Sequence, residues 1–416
     1  MSAVRLRLPL PSLAGLPRNA RNSILLEPLW GVFGVVVLYY APLYMKGVGL
    51  SNTQVGLLGS LTLACSFVFQ FLAAPITNRL GRKRTTLIWD LVSWTVPMLV
   101  WAVADGFWAF ALAAVLSASG RIVAVSWSLL VIEDVETPQR ARVFGILNLI
   151  IATCGLLTPL VGLLISRHGI VPTLRAFYLL GGVGMTAMFL WRNALTQETR
   201  NGEAAMREHG ELHPWQSLRQ NLRLVANLRR VEGLAGVMAF YVLTVFVEQL
   251  SLFQILFFGE TLRFGANVLS LVPVSVAFVT MLMYGLVLRR LTGVPPERAL
   301  VLARLLGLAG AALVLLVPAE SVPALLLATS VLAAATFLTQ TYRDAALFSR
   351  LPQQGAADLY SAVQTLTLLF SIPAAAIAGA IYTAQPRALF ALIAALNVGL
   401  LLLALGLANR QRRAAR

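Results

Sequence analysis

The chain has 416 residues, of which 58% are hydrophobic and only 12% charged, and its net charge is +16. A soluble domain holds about 25% charged residues, so this composition excludes a soluble protein and points to one embedded in lipid. The positive balance alone would suit nucleic acid; its placement along the chain argues against that partner.

Several stretches run about 20 residues almost without charge, the length that crosses a hydrocarbon core of roughly 30 Å as a helix. They lack the alternating pattern of barrel strands, and a backbone in lipid must satisfy its own polar groups, so the spans are predicted to be helices. Residues 1–23 form a basic arm; the apolar run after it is too long for a signal peptide and no small-residue cleavage site follows. Twelve spans are predicted: 24–45, 53–77, 85–104, 107–132, 143–166, 172–191, 233–258, 267–288, 298–317, 321–344, 357–383 and 387–408. The domain plan is a six-helix bundle over 24–191, a polar, mostly basic central loop over 192–232, a second bundle over 233–408 and a tail over 409–416. An even count puts both termini on one face.

On these spans that face carries 26 of the 33 Lys and Arg residues, and the opposite face carries five: Lys46, Arg167, Arg175, Arg263 and Arg387. The positive-inside rule then sets both termini in the cytoplasm. A multi-pass protein of the plasma (inner) membrane is expected. Cys65 and Cys154 both fall inside spans, so no disulfide framework is expected. His209 and His213 in "EHGELHP" lie four apart but lack a third ligand, and neither a metal nor a cofactor is expected. No nucleophile triad or phosphate-binding glycine loop is spelled out, so the chain is not read as an enzyme.

The halves resemble each other. "GVGLSNTQVGLLG" (47–59) joins spans 1 and 2, and "TLRFGANVLSLVP" (261–273) joins spans 7 and 8. "NRLGRKRTTLI" has a looser partner starting at Arg289, and "TPQRARVFGILN" (137–148) has one in "LPQQGAADLYSAVQ" (351–364). Three loops recurring in order at nearly one offset indicate two repeated bundles. A parallel pair of such bundles is a plan of secondary transporters, with the solute site near the midplane between them.

The stretch "APITNRLGRKRTTL" (74–87) resembles the loop between helices 2 and 3 of the major facilitator superfamily, whose pattern is Gly-x-x-x-Asp-Arg-x-Gly-Arg-Lys/Arg. Arg79, Gly81, Arg82 and Lys83 match it; Ala74 and Asn78 stand where the family usually has Gly and Asp. The resemblance covers the whole chain in span count, repeat and central loop. It implies an all-α fold of twelve transmembrane helices in two pseudo-symmetric bundles, and a gating loop of Asn78, Arg79, Gly81, Arg82 and Lys83. The family's Asp also meets the N-terminus of helix 11, a latch that Asn78 would weaken. Two further family patterns are partial: "SGRIVAVSW" keeps the helix-4 Arg of drug exporters as Arg121, and "CGLLTPLVGLL" keeps Pro159 and Gly162 of an antiporter bend in helix 5.

An ionisable side chain at membrane depth is a functional hypothesis by default. Asp90, Arg121 and Glu248 stand out. At about 1.5 Å per residue, Arg121 and Asp90 lie at similar depth, and Arg121 is expected to pair with Asp90 or with Glu27. A reach from Arg121 to Glu248 would span about 13 Å. Glu248, with no basic side chain placed near it, is the expected proton-coupling group, with Asp90 the next candidate; a buried carboxyl without a counter-charge resists ionisation. The resemblance places helices 1, 4, 7 and 10 around a central cavity. Tyr39, Tyr40, Arg121, Trp127, Phe246, Gln249, Phe253, Phe337 and Gln340 are the expected solute contacts. Such an aromatic lining suits an amphiphilic solute better than a sugar. In helix 11, the small residues of "PAAAIAGA" (373–380) favour close packing between the halves.

The expected function is a monomeric, proton-coupled exporter of small amphiphilic compounds working by alternating access. One alternative is uptake of a small organic anion on Arg121. Another, of a different class, is a non-transporting sensor or a lipid scramblase.

Overall fold

A computed structural model describes residue 13 and residues 15–208, 234–287, 294–348, 350 and 356–414. Among these, twelve helices are long and apolar enough to cross a membrane. In the first half they are α1 (Arg18–Gly47), α2 (Asn52–Leu80), α3 (Arg82–Val103), α4 (Phe107–Ile132), α5 (Arg142–His168) and α6 (Ile170–Leu195). In the second they are α7 (Leu234–Thr261), α8 (Ala266–Gly285), α9 (Pro296–Leu316), α10 (Val322–Leu347), α11 (Ala362–Ala384) and α12 (Pro386–Arg412). A short linker helix, Arg200–Glu208, follows α6. The rest of the central loop, with His209 and His213, lies outside the described residues, as do the start of the basic arm and most of the loop partners at 289–293 and 351–355.

The boundaries follow local chemistry. Ser51 caps α2 with its hydroxyl on the Gln54 N–H, while the Gln54 side chain reaches back to the Ser51 N–H. Gly81, at φ +83°, lets α2 end and α3 begin at one residue, a reversal that a side chain would strain. Pro28, Pro42 and Pro75 sit inside α1 and α2, where each removes the N–H of an interior helical hydrogen bond. Wide turns at Leu91–Thr95, Phe257–Thr261 and Met283–Val287 interrupt α3, α7 and α8.

The halves meet along α2 with α11 and along α5 with α8. Gly56 and Gly379 make the first seam tight: a Cβ on Gly56 would lie 2.5 Å from the Ala375 carbonyl oxygen, and one on Gly379 would lie 2.8 Å from that of Asn52. The small residues of "PAAAIAGA" therefore bring two backbones together, as their sequence suggested. On the second seam, Thr158 Oγ1 donates to the Ser270 carbonyl at 2.8 Å, and Gly162 packs on Ser270.

The polar bridges described between the halves share one side. Tyr39 donates to the Leu269 carbonyl at 2.6 Å, the Ala376 N–H donates to Ser60 Oγ at 3.0 Å, and Lys46 faces Glu260 at 3.9 Å. Thr53 and Thr383 share a hydrogen bond of 3.4 Å. All lie toward the ends of their helices away from the termini. The described polar bridges thus fasten the halves at the far face.

Candidate functional site

A polar constellation lies on the terminal-face side of these bridges, on helices of both halves. On α7, Tyr241 and Glu248 are one heptad apart and so share a face. Arg343 of α10 donates to Glu248 at 3.4 Å, lies 3.7 Å from Asp344, and places its guanidinium over the Tyr241 ring, 4.3 Å from the centroid. Gln364 of α11 donates to the Tyr241 hydroxyl at 2.7 Å. Behind them, buried Arg304 of α9 donates to Thr339 and lies 5.8 Å from the centroid of Phe240. From the first half, half-buried Arg121 of α4 lies within electrostatic reach of Tyr241. Among the described residues Arg121 has no carboxylate partner within 4 Å. The site therefore spans both halves and holds three guanidiniums against the carboxylates of Glu248 and Asp344.

This geometry corrects two expectations. Glu248 is not remote from basic groups: α10 packs Arg343, near its terminal-face end, at the level of Glu248, 3.4 Å away. Asp90 does not pair with Arg121 or leave it to Glu27. Its partner is Arg192, which α6 carries in its last turn because that helix continues to Leu195. Both members of this pair are buried, and Glu27, also buried, shares their electrostatic field. These two acids and one base lie among α1, α3 and α6, away from the constellation around Glu248.

The expected solute contacts divide. Gln340 is exposed, and Phe246, Gln249, Phe337 and Tyr39 are half-buried on α7, α10 and α1. Tyr40 and Phe253 are fully buried; Phe253 stacks on Tyr382 at 5.0 Å and Tyr40 packs edge-on against Tyr39 at 4.9 Å. Both are packing residues in this conformation. Trp127 belongs to a separate apolar cluster with Leu16, Ala20, Ile24, Val131 and Val143 near the terminal face. Tyr241, Arg343, Asp344 and Gln364 escaped the sequence reading. The heptad spacing of Tyr241 and Glu248 was the available signal for the first.

At the terminal face the loop between α2 and α3 is tied into the first half. Arg82 donates to Glu133 at 3.0 and 3.2 Å and to Asn78 Oδ1 at 3.1 Å. Glu198, just before the linker helix, accepts from the backbone N–H groups of Arg82 at 2.9 Å and Lys83 at 3.0 Å. Thr199 donates to Glu133 and, at 2.9 Å, accepts from the Gly202 N–H. Arg79 is exposed and Lys83 half-buried. Burial, then the neighbouring Glu133, pushes the carboxyl of Asp134 in the adjacent loop above its ordinary value. Among the described residues no group of three or more His, Cys, Asp or Glu side chains is placed to hold a metal ion.

Comparison with known proteins fits this architecture. A "Multidrug resistance protein MdtG" of Serratia proteamaculans (strain 568) is 28% identical over 189 residues, which is 44% of this chain and 45% of that protein. This chain therefore aligns with a little under half the length of that relative. Among solved structures, a variant of the nucleoside transporter NupG superposes with a TM-score of 0.71 at 12% identity, covering 94% of this chain and 98% of that one. A POT family transporter in complex with 5-aminolevulinic acid gives 0.70 at 14%, covering 96% and 98%. The human organic anion transporter MFSD10 gives 0.64 at 16%, covering 92% and 99%. At these identities the structures establish a shared fold alone. The sequence model of the Major Facilitator Superfamily matches residues 29–375. With that match over most of its length, and with twelve helices in two bundles, the chain belongs to the Major Facilitator Superfamily.

Proposed function

We propose that this chain is a proton-coupled exporter of small amphiphilic compounds, working as a monomer in the plasma membrane with both termini in the cytoplasm. The observation that carries the reading is the Glu248–Arg343 pair beside Tyr241, on the terminal-face side of a chain whose halves are fastened at the far face. A proton on Glu248 dissolves that pair and frees Arg343, so a single protonation changes both the charge and the shape of the solute site. The half-buried Phe246 and Phe337 offer apolar surface beside it. The multidrug resistance protein among its relatives supports efflux and an amphiphilic solute. The basic terminal face supports cytoplasmic termini, which puts the fastened far face on the outside.

The test is solute flux in proteoliposomes with and without an imposed pH difference, for wild type and Glu248→Gln. The glutamine imitates the protonated carboxyl in shape and hydrogen bonding. Wild type should move solute against its gradient; the variant should fold, bind and exchange solute, yet lose the response to the pH difference. Coupling that survives in the variant removes Glu248 from the role, and Asp90 would be tested next.

One observation favours a second reading. Arg121 faces no carboxylate within 4 Å among the described residues, so an anionic solute can supply its counter-charge. Uptake of a small organic anion would then show as inward flux that Arg121→Gln abolishes while neutral amphiphiles fail to compete.

A further inference from the structure

Outside the central site, a recess of about 640 Å³ opens at the terminal face between α3, the end of α6 and the linker helix. Lys83 and Arg84 line it, with Leu87, Ile88 and Met206 on its apolar wall. Glu198 is the one acid among its lining residues. We propose that this recess binds the headgroup of an anionic phospholipid, with the lipid phosphate on Lys83 and Arg84 and the acyl chains running down α3 past Leu87 and Ile88.

Three observations place a lipid there. First, the two cations are free for a ligand. Among the described residues neither Lys83 nor Arg84 has a carboxylate within 4 Å, and neither side chain makes a described hydrogen bond. The oxygens of Glu198 are already committed to the backbone N–H groups of Arg82, Lys83 and Thr199, at 2.9, 3.0 and 3.1 Å. Its oxygens serve the start of α3, and the two cations still outnumber it along the lining, so the recess keeps a net positive charge.

Second, the depth is that of a headgroup. The span that begins at Arg82 has 22 residues, or about 33 Å of helix, close to the thickness of the hydrocarbon core. Lys83 and Arg84 therefore stand at its edge. Leu87 and Ile88 lie one turn deeper, and Ile88 is 45% exposed on the outside of the bundle. Third, the wall changes from cationic to apolar along the membrane normal, which matches a phospholipid and not a free phosphate. Basic pockets at this level between membrane helices suit acidic headgroups.

The lipid would also bridge α3 to the linker helix through Met206, adding to the Glu198 tie on the gating loop. Occupancy is thus expected to steady the contact between the linker and the first half.

The test uses the full chain purified in detergent and titrated with mixed micelles of phosphatidylglycerol or phosphatidylcholine, reading the rise in thermal midpoint. Each basic residue near the surface contributes about fivefold to the binding of acidic lipid, so phosphatidylglycerol should act at about 30-fold lower concentration than phosphatidylcholine. Lys83→Gln/Arg84→Gln should lose that preference. Arg84→Gln alone, an exposed side chain whose loss leaves the fold intact, should lose about fivefold of it. Arg79→Gln removes the same charge a few residues away, outside the recess, and should keep the preference. Equal responses of wild type and both recess variants would overturn the site. So would a loss of preference in Arg79→Gln as large as in Arg84→Gln, since the effect would then be general surface charge. A full stabilisation by inorganic phosphate alone would overturn the assignment to lipid.

Discussion

Gly56→Ala tests whether the far-face seam is what holds the present conformation. The added Cβ would lie 2.5 Å from the Ala375 carbonyl oxygen and 3.0 Å from the Gly379 Cα. Both are backbone atoms of α11, so neither can turn aside as a side chain would. Ordinary contact begins near 3.4 Å, so α2 and α11 must part by about 0.9 Å at this point. Overpacking of this kind costs about 1–3 kcal/mol. The cost falls on the conformation in which the two helices meet here, and it is absent once the far face opens. The equilibrium should therefore shift about 5- to 150-fold toward the far-open state. The assay is a pulsed electron-spin distance measurement between labels at Gly49 and Glu320, in a background with Cys65 and Cys154 replaced. The long-distance population should grow in Gly56→Ala. Gly106→Ala is the control, because nothing lies within 4 Å of its added Cβ and its backbone is extended. An unchanged distance distribution with a lowered thermal midpoint would refute the reasoning, since the strain would then be shared by every conformation.

Arg192→Met removes the base from a buried pair and strands Asp90 beside Glu27; it should cost about 3–5 kcal/mol, read as a lower thermal midpoint in detergent, and Arg192→Met/Asp90→Leu should recover most of it. Gly81→Val places a branched side chain at φ +83° against Glu198 and Met206, a strain of about 1–3 kcal/mol. Transport should slow while solute affinity stays within a few-fold, and a large loss of affinity in a folded variant would contradict a gating role. Single cysteines at Gly47 or Glu260 should react with an impermeant reagent outside whole cells, whereas those in 192–232 should not; labelling of the central segment would reverse the proposed orientation.

The number of spans, their helical nature and the two-bundle plan could be read from the sequence, because each rests on a property of a local stretch. A helix spans because about 20 residues avoid charge, and a loop turns because Gly81 tolerates a positive φ. The small residues at 373–380 announced a close helix contact for the same reason: the absence of side-chain bulk is itself local. Which charges meet was decided by the tertiary structure. The sequence boundaries ended the sixth and tenth spans at 191 and 344, whereas the helices run to Leu195 and Phe348. Four residues are about 6 Å along a helix, and each residue turns its side chain by about 100°. That much error left Arg192 outside its span and placed Arg343 at the very end of its own, so Asp90 and Glu248 were read without their partners. Side-chain pairing in a bundle depends on the depth and rotation of each helix against its neighbours, and those are fixed by packing across the whole fold.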